Sequence, residues 1–308
     1  MKVNFKEITG FLIFIILLGC FVFCAGEILT PKRFEYGANL RSLQAEPKNS
    51  IDMVFMGSSV TYCDINPAIV DEKTGLNSYI LSGPEQTLPL TYAYMEEMYK
   101  TQSPSVIFLE MSAVIFDEYY EKSNMINVLY MPPSLKRAQL ALSETKREDW
   151  MSIFLPALSY HSRWPDLEKW EIRYFLQGYD KDELKGFMPI DICEPMEAIS
   201  QYGDMEVAKR NIPWLIKLNE LAAGHNTQLI FFYAPRASQV REDIIKYTKE
   251  ALKAQGIQIM YNFNLHFEEM GLDIKTDFMD PLHLNTTGAE KFSIYLSEQI
   301  NGDILKGR

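Results

Sequence analysis

Two short motifs carry residue types suited to proton transfer and nucleophilic attack. Asp280-Pro281-Leu282-His283 sets a carboxylate three residues before an imidazole. Neutral histidine titrates near neutrality and accepts a proton from a hydroxyl, while an aspartate on its other ring nitrogen fixes the tautomer and stabilises the imidazolium. A tight Asp-Pro turn brings both side chains to one side of the chain. Gly57-Ser58-Ser59 follows an apolar run at 51 to 56, and a hydroxyl at a strand end becomes a nucleophile once a base takes its proton. Each motif also has a structural reading. Ser58 or Ser59 suits a helix cap, and Asp280 can open a turn while His283 bonds to backbone.

Other residues stand in promising company. Tyr160-His161-Ser162-Arg163-Trp164 packs a base, a hydroxyl, a guanidinium and an indole into one segment, and His161 and Arg163 can hold a sugar by charge and stacking. Packing of Trp164 and Trp170 on a helix is the alternative. Arg236 follows Ala234-Pro235 at a strand end, where it faces a crevice or lies on the surface. His225 and His266 have no partners at ligand spacing, so neither a metal nor a cofactor is expected.

The elements that must position these groups follow from the pattern. Short apolar runs at 51–56, 78–81, 106–109, 228–233 and 257–261 read as buried strands. They alternate with helical stretches at 66–73, 88–100, 206–223, 238–254 and 286–300. Such alternation implies an α/β fold with a parallel sheet covered on both faces. The ligand crevice of such a sheet lies beyond the carboxyl ends of its strands. The aromatic, charged segment 117–205 breaks the alternation and reads as a helical insertion. The expected organisation is an anchor at 1–29, a stem at 30–50 and one α/β domain at 51–308.

Taken together, Gly57-Ser58-Ser59 after the first strand and Asp280-x-x-His283-Leu284-Asn285-x-x-Gly288 before the last helix resemble the SGNH (GDSL-like) hydrolase and acyltransferase superfamily. The resemblance covers roughly residues 51–112 and 228–300, and implies a three-layer α/β/α fold. It maps the nucleophile to Ser59 and the other triad members to Asp280 and His283. It also implies an oxyanion hole built from the N–H groups of Ser59 and Gly83. A third-block asparagine usually completes that hole, but here the third strand runs into Leu109-Glu110-Met111-Ser112. Another donor such as Arg163 or His161 then serves, or activity is weak or lost. Glu110 can hydrogen-bond within such a site or be a plain strand-end carboxylate.

The N-terminus adds a location. Ile8 to Gly26 carries no charge and, as a helix, would reach roughly 28 Å, close to the thickness of a bilayer core. A membrane anchor is expected, a cleaved signal peptide or buried core helix being the alternatives. Lys2 and Lys6 precede the segment and Lys32 and Arg33 follow it, so the flanking charges are nearly balanced. Long C-terminal domains are translocated largely regardless of such charges, which places the domain outside the cytoplasm. With this anchor, the resemblance is to envelope-modifying members: the teichoic-acid D-alanyl transfer protein and alginate-type polysaccharide O-acetyltransferases. It implies an acyl donor, an envelope glycan or teichoic-acid acceptor, and a multispanning membrane acyltransferase as partner. A carbohydrate O-acetyl esterase and a non-catalytic envelope scaffold are the competing functions.

Composition excludes other classes. The 308 residues hold 30 Lys and Arg against 41 Asp and Glu, a net charge of −11, and no basic face for nucleic-acid phosphates emerges. Cys20 and Cys24 fall in the apolar segment, leaving Cys63 and Cys193 as the one conceivable pair in the soluble part.

Overall fold

A computed structural model describes residues 5–32, 39–117, 121–257 and 260–304. Arg33, part of the expected stem, and parts of the 117–205 insertion and 257–261 strand lie outside these residues. The strands are β1 (Met53–Gly57), β2 (Ser78–Ser82), β3 (Val106–Glu110), β4 (Ser200–Tyr202), β5 (Gln228–Tyr233), β6 (Ser238–Val240) and β7 (Met260–Asn262). Five form a parallel sheet in the order β2-β1-β3-β5-β7, and β4 pairs with β6 in a second, two-stranded sheet. The chain is therefore an α/β protein with a parallel central sheet.

The helices are α1 (Phe5–Leu29), α2 (Leu40–Ala45), α3 (Ser59–Asp64), α4 (Pro67–Thr74), α5 (Leu88–Met98), α6 (Glu121–Tyr130), α7 (Leu135–Glu144), α8 (Trp150–Phe154), α9 (Pro156–Ser159), α10 (Lys169–Gln177), α11 (Met205–Gly224), α12 (Glu242–Ala254), α13 (Phe267–Met270) and α14 (Thr286–Gln299). Alternation along each strand sorts them into layers. Val54, Met56, Ile107, Leu109 and Phe231 pack with α2, α5, α11 and α12. Met53, Phe55, Phe108, Ile230 and Phe232 pack on the opposite face with α3, α4 and α14.

Helix starts obey local chemistry. Asn66 precedes Pro67 and accepts from the Ala68 N–H at 3.0 Å, opening α4. Asn285 accepts from the Gly288 N–H at 3.0 Å, opening α14. Asp204 accepts from the N–H groups of Glu206 and Val207 and opens α11.

Two expectations change, and one open question closes. The stem narrows, because Leu40 and Leu43 of α2 are fully buried in the core. Leu43→Ala is expected to cost about 2–5 kcal/mol of stability, read by denaturant unfolding; a cost below about 0.5 kcal/mol would mean that α2 is only a tether. The 117–205 insertion is helical through α10 but runs without helix from 178 to 204, apart from β4. Cys63 and Cys193 are both free thiols, Cys63 buried and Cys193 exposed, and no disulfide joins them.

Among the described residues one helix, spanning Lys6–Leu29 within α1, is long and apolar enough to cross a membrane.

Candidate active site

Parallel register brings the site together. Gly57 pairs with Ser82 and Met56 with Leu109, so β1, β2 and β3 finish at one edge of the sheet. The residues just beyond them, Ser58, Ser59 and Gly83, leave that edge side by side. In the order β2-β1-β3-β5-β7 the chain runs from β1 out to β2 and then crosses back to β3 on the other side of β1, and a crevice opens at such a switch point.

Gly57 makes the turn into α3 sterically feasible. Its φ is +155°, and a Cβ there would lie 2.3 Å from Thr61 Oγ1 and 2.9 Å from Glu110 Cβ. Only glycine allows β1 to pass so close to β3 and still turn. Ser58 occupies the cap position of α3 but makes no side-chain cap bond, and its hydroxyl is buried without a partner. Ser59 is the first helical residue, where backbone N–H groups have no intrahelical acceptor.

From the other end of the chain, residues 278–284 form a small closed loop. Phe278 and Leu284 bridge antiparallel, the Met279 N–H donates to the His283 carbonyl at 3.0 Å, and both bridge residues are fully buried. Inside the loop, Asp280 Oδ1 accepts from the N–H groups of Leu282 at 2.7 Å and His283 at 2.9 Å. The same carboxylate meets His283 Nδ1 at 2.8 Å and 3.0 Å. An ionised carboxylate only accepts, so Nδ1 carries the proton and Nε2 is left as the acceptor. His283 Nε2 stands 2.8 Å from Ser59 Oγ, placed to accept the hydroxyl proton.

Burial pushes the Asp280 carboxyl up, but the hydrogen bond and charge of His283 and the two backbone N–H groups outweigh it. Its pKa lies below the usual carboxylate value. A carboxyl that stays ionised beside the imidazole stabilises the imidazolium formed when His283 takes a proton.

Asp64 ties the two halves together. It ends the same helix that Ser59 begins, and its Oδ1 accepts from the Leu284 N–H at 2.9 Å, one residue beyond the histidine. Helix α3 thus carries the serine and also holds the histidine loop. Full burial pushes the Asp64 carboxyl well above its usual range, against the pull of this N–H and of Arg236.

Gly83 is fixed from the insertion. A Cβ on it would lie 1.9 Å from Asn127 Oδ1 and 3.1 Å from Gln86 Oε1. Asn127, on α6, is fully buried; its Nδ2 donates to the Pro84 carbonyl at 2.9 Å, and its own carbonyl accepts from the Tyr94 hydroxyl at 2.8 Å. Ser123 on the same helix donates to Glu85 at 2.6 Å. Among the described residues no acceptor takes the Gly83 N–H. Gly83→Ala is expected to cost about 1–3 kcal/mol through the clash with Asn127 and to lower turnover by shifting that N–H. Unfolding and initial rates measured together check this; an unchanged protein would show that the turn has room.

The remaining candidates stand elsewhere. Arg163 Nη1 donates to the Leu29 carbonyl at 2.6 Å and Nη2 to Glu171 at 2.6 Å, so it ties the end of α1 to α10. His161 is exposed, with Nδ1 2.6 Å from the Leu158 carbonyl. Neither is brought to the triad as an oxyanion donor. Arg236 is buried rather than on the surface: its backbone N–H donates to Asn264 and its guanidinium to the Tyr202 hydroxyl at 2.7 Å. Burial works against its charge, but Tyr202, Glu110 and Asp64 more than compensate and raise its pKa. Glu110 accepts from the Ser112 N–H and hydroxyl. His225 stacks on Tyr99, and His266 pairs with Glu269 at 3.4 Å.

Sequence reading missed Asp64 and Asn127. Nothing local marks either one, since each acquires its role through a contact far along the chain.

No protein-family model matches the sequence, and a search of curated proteins finds no match. Among solved structures, a candidate acylhydrolase from Bacteroides fragilis is similar over 88% of this chain and 98% of its own, at 13% sequence identity and a TM-score of 0.44.

Proposed function

We propose that this chain is a membrane-anchored serine acyltransferase or esterase, acting outside the cytoplasm on a cell-envelope polysaccharide or teichoic acid. The hydrogen-bonded series from Ser59 Oγ through His283 to Asp280 carries this reading, because each group has the partner that its role in acyl transfer requires.

In the first half-reaction Ser59 Oγ attacks the acyl carbonyl as its proton passes to His283 Nε2. The negative charge on the carbonyl oxygen is received by the unpaired N–H groups of Ser59 and Gly83. Collapse breaks the bond to the donor's alcohol oxygen, which leaves with the proton from His283, and the acyl group remains on Ser59. A second hydroxyl then gives its proton to His283 and attacks the acyl-serine; the bond to Ser59 Oγ breaks, and Ser59 takes the proton back from His283. Its product is an ester if the hydroxyl belongs to a glycan and a free acid if it belongs to water. Asp280 holds the imidazole in register throughout.

The apolar helix α1 supports the envelope location, and a multispanning membrane protein presenting the acyl donor would be the partner. The first test is acetyl release from a chromogenic acetyl ester by the full chain in detergent, with and without an oligosaccharide acceptor. Transfer requires acetylated oligosaccharide among the products. Free acetate alone despite abundant acceptor would reduce the function to an esterase, and no turnover with either would favour a non-catalytic scaffold.

A further inference from the structure

The insertion carries a surface that the chemistry does not use. Among the described residues, twenty-six large apolar side chains are exposed; eleven belong to α1, and nine of the other fifteen fall between Leu135 and Leu176. Leu158 is 57% exposed, and Trp164 and Leu176 are each 71% exposed. Concentration of this kind marks an interaction surface rather than scattered surface residues.

This surface adjoins α1. Helix α9 meets α1 at Gly26, where an added Cβ would touch Pro156 at 2.9 Å. From there a groove of about 500 Å³ runs along α1, with Ile15, Leu18 and Val22 of α1 on one side and Ala138 of α7, Ile153 and Phe154 of α8 and Leu155 on the other. Gly26 and Ile15 lie about 16 Å apart along the helix axis, both within the stretch apolar enough to span a membrane. A bilayer crossed by α1 therefore also surrounds the opposite wall of the groove.

The groove's inner end is charged. Glu27 and Arg137 line it, Arg41 and Arg137 lie 3.8 and 3.9 Å from the Glu27 carboxylate, Lys32 donates to backbone carbonyls of Glu27 and Thr30, and Arg163 pairs with Glu171. Four cations thus gather with two carboxylates where α1 leaves its apolar span. Such an excess of positive charge favours phosphate at headgroup depth, and an exposed tryptophan beside it suits the same layer.

We propose that α7–α10 form a collar embedded in the leaflet from which α1 emerges, and that the groove between collar and α1 holds the acyl chain of a phospholipid, its phosphate at the cationic end. This rests on α1 crossing the bilayer, as in the proposed function. It would hold the catalytic domain at a fixed height on the membrane, with α6 of the same insertion gripping the Gly83 turn.

The test is photolabelling of the full chain in vesicles of phosphatidylcholine and phosphatidylglycerol that contain a phosphatidylcholine with a diazirine in its acyl chain. Adducts are then mapped by peptide mass spectrometry. The expected result is labelling on α1 and on residues 153–158, with loss of most adducts at 153–156 in Ala138→Phe, where the ring fills the groove, while labelling on the outer face of α1 persists. Adducts on α1 alone would overturn the collar and leave the anchor intact. Failure of the chain to float with the vesicles, with no adducts anywhere, would overturn both.

Discussion

Ser59→Ala lowers kcat/KM for ester cleavage by at least about 10⁴-fold, because removal of a triad nucleophile leaves only what binding and oxyanion donors supply. The same substitution leaves stability within about 0.5 kcal/mol, as expected for a partly exposed side chain outside the core. The structure explains why the two effects separate. Ser59 Oγ is bonded to His283 Nε2 at 2.8 Å, and the cap position of α3 belongs to Ser58. Were Ser59 a structural cap, the ranking would reverse, with a loss of roughly 1 kcal/mol in stability and little change in rate. Steady-state kinetics and denaturant unfolding on one preparation separate the two.

Asp280→Asn lowers kcat by about 10⁴-fold. The variant can keep an acceptor for the Leu282 and His283 N–H groups, so the turn survives. The amide, however, can present an N–H to His283 Nδ1 and turn the proton to Nε2, facing Ser59. A protonated Nε2 cannot accept the serine proton. The ionised aspartate has a second signature in pH. Its pKa is lowered on folding, so its contribution to stability is complete above the unfolded value of about 4 and is lost as pH falls through the lower folded value. The melting-temperature gap between wild type and Asp280→Asn is therefore expected to narrow as pH falls below about 4. A gap independent of pH down to strong acid would mean that the carboxylate gains nothing from the imidazole.

How much of this was legible depends on the separation of the partners. Asp280 and His283 are three residues apart on one turn, so residue type and spacing made them a candidate pair, with a plain turn as the alternative until the resemblance joined them to Ser59. The apolar run before Gly57 places Ser58 and Ser59 at a strand end beside the crevice, but the choice of Ser59 came from family resemblance. Gly83 entered only through family resemblance; its surroundings include Asn127, in a segment whose sequence offers no period or motif. Arg163 looked like a ligand-binding guanidinium because its local company is aromatic, but its partners are Leu29 and Glu171. Arg236 looked like a surface or crevice side chain, yet Tyr202, Asp64 and Glu110 justify its burial. Leu40 and Leu43 lay in a polar stretch that reads as tether, and only packing against the sheet revealed them as core. Local chemistry was readable; long-range pairing was not.

The central claim is that Ser59 is a nucleophile activated by His283. Treating the full detergent-solubilised chain with a fluorophosphonate and locating the adduct by mass spectrometry tests it most directly. One adduct on Ser59, absent in Ser59→Ala and strongly reduced in His283→Ala, is the expected result. No adduct on the wild type, or one that persists in Ser59→Ala, would contradict it.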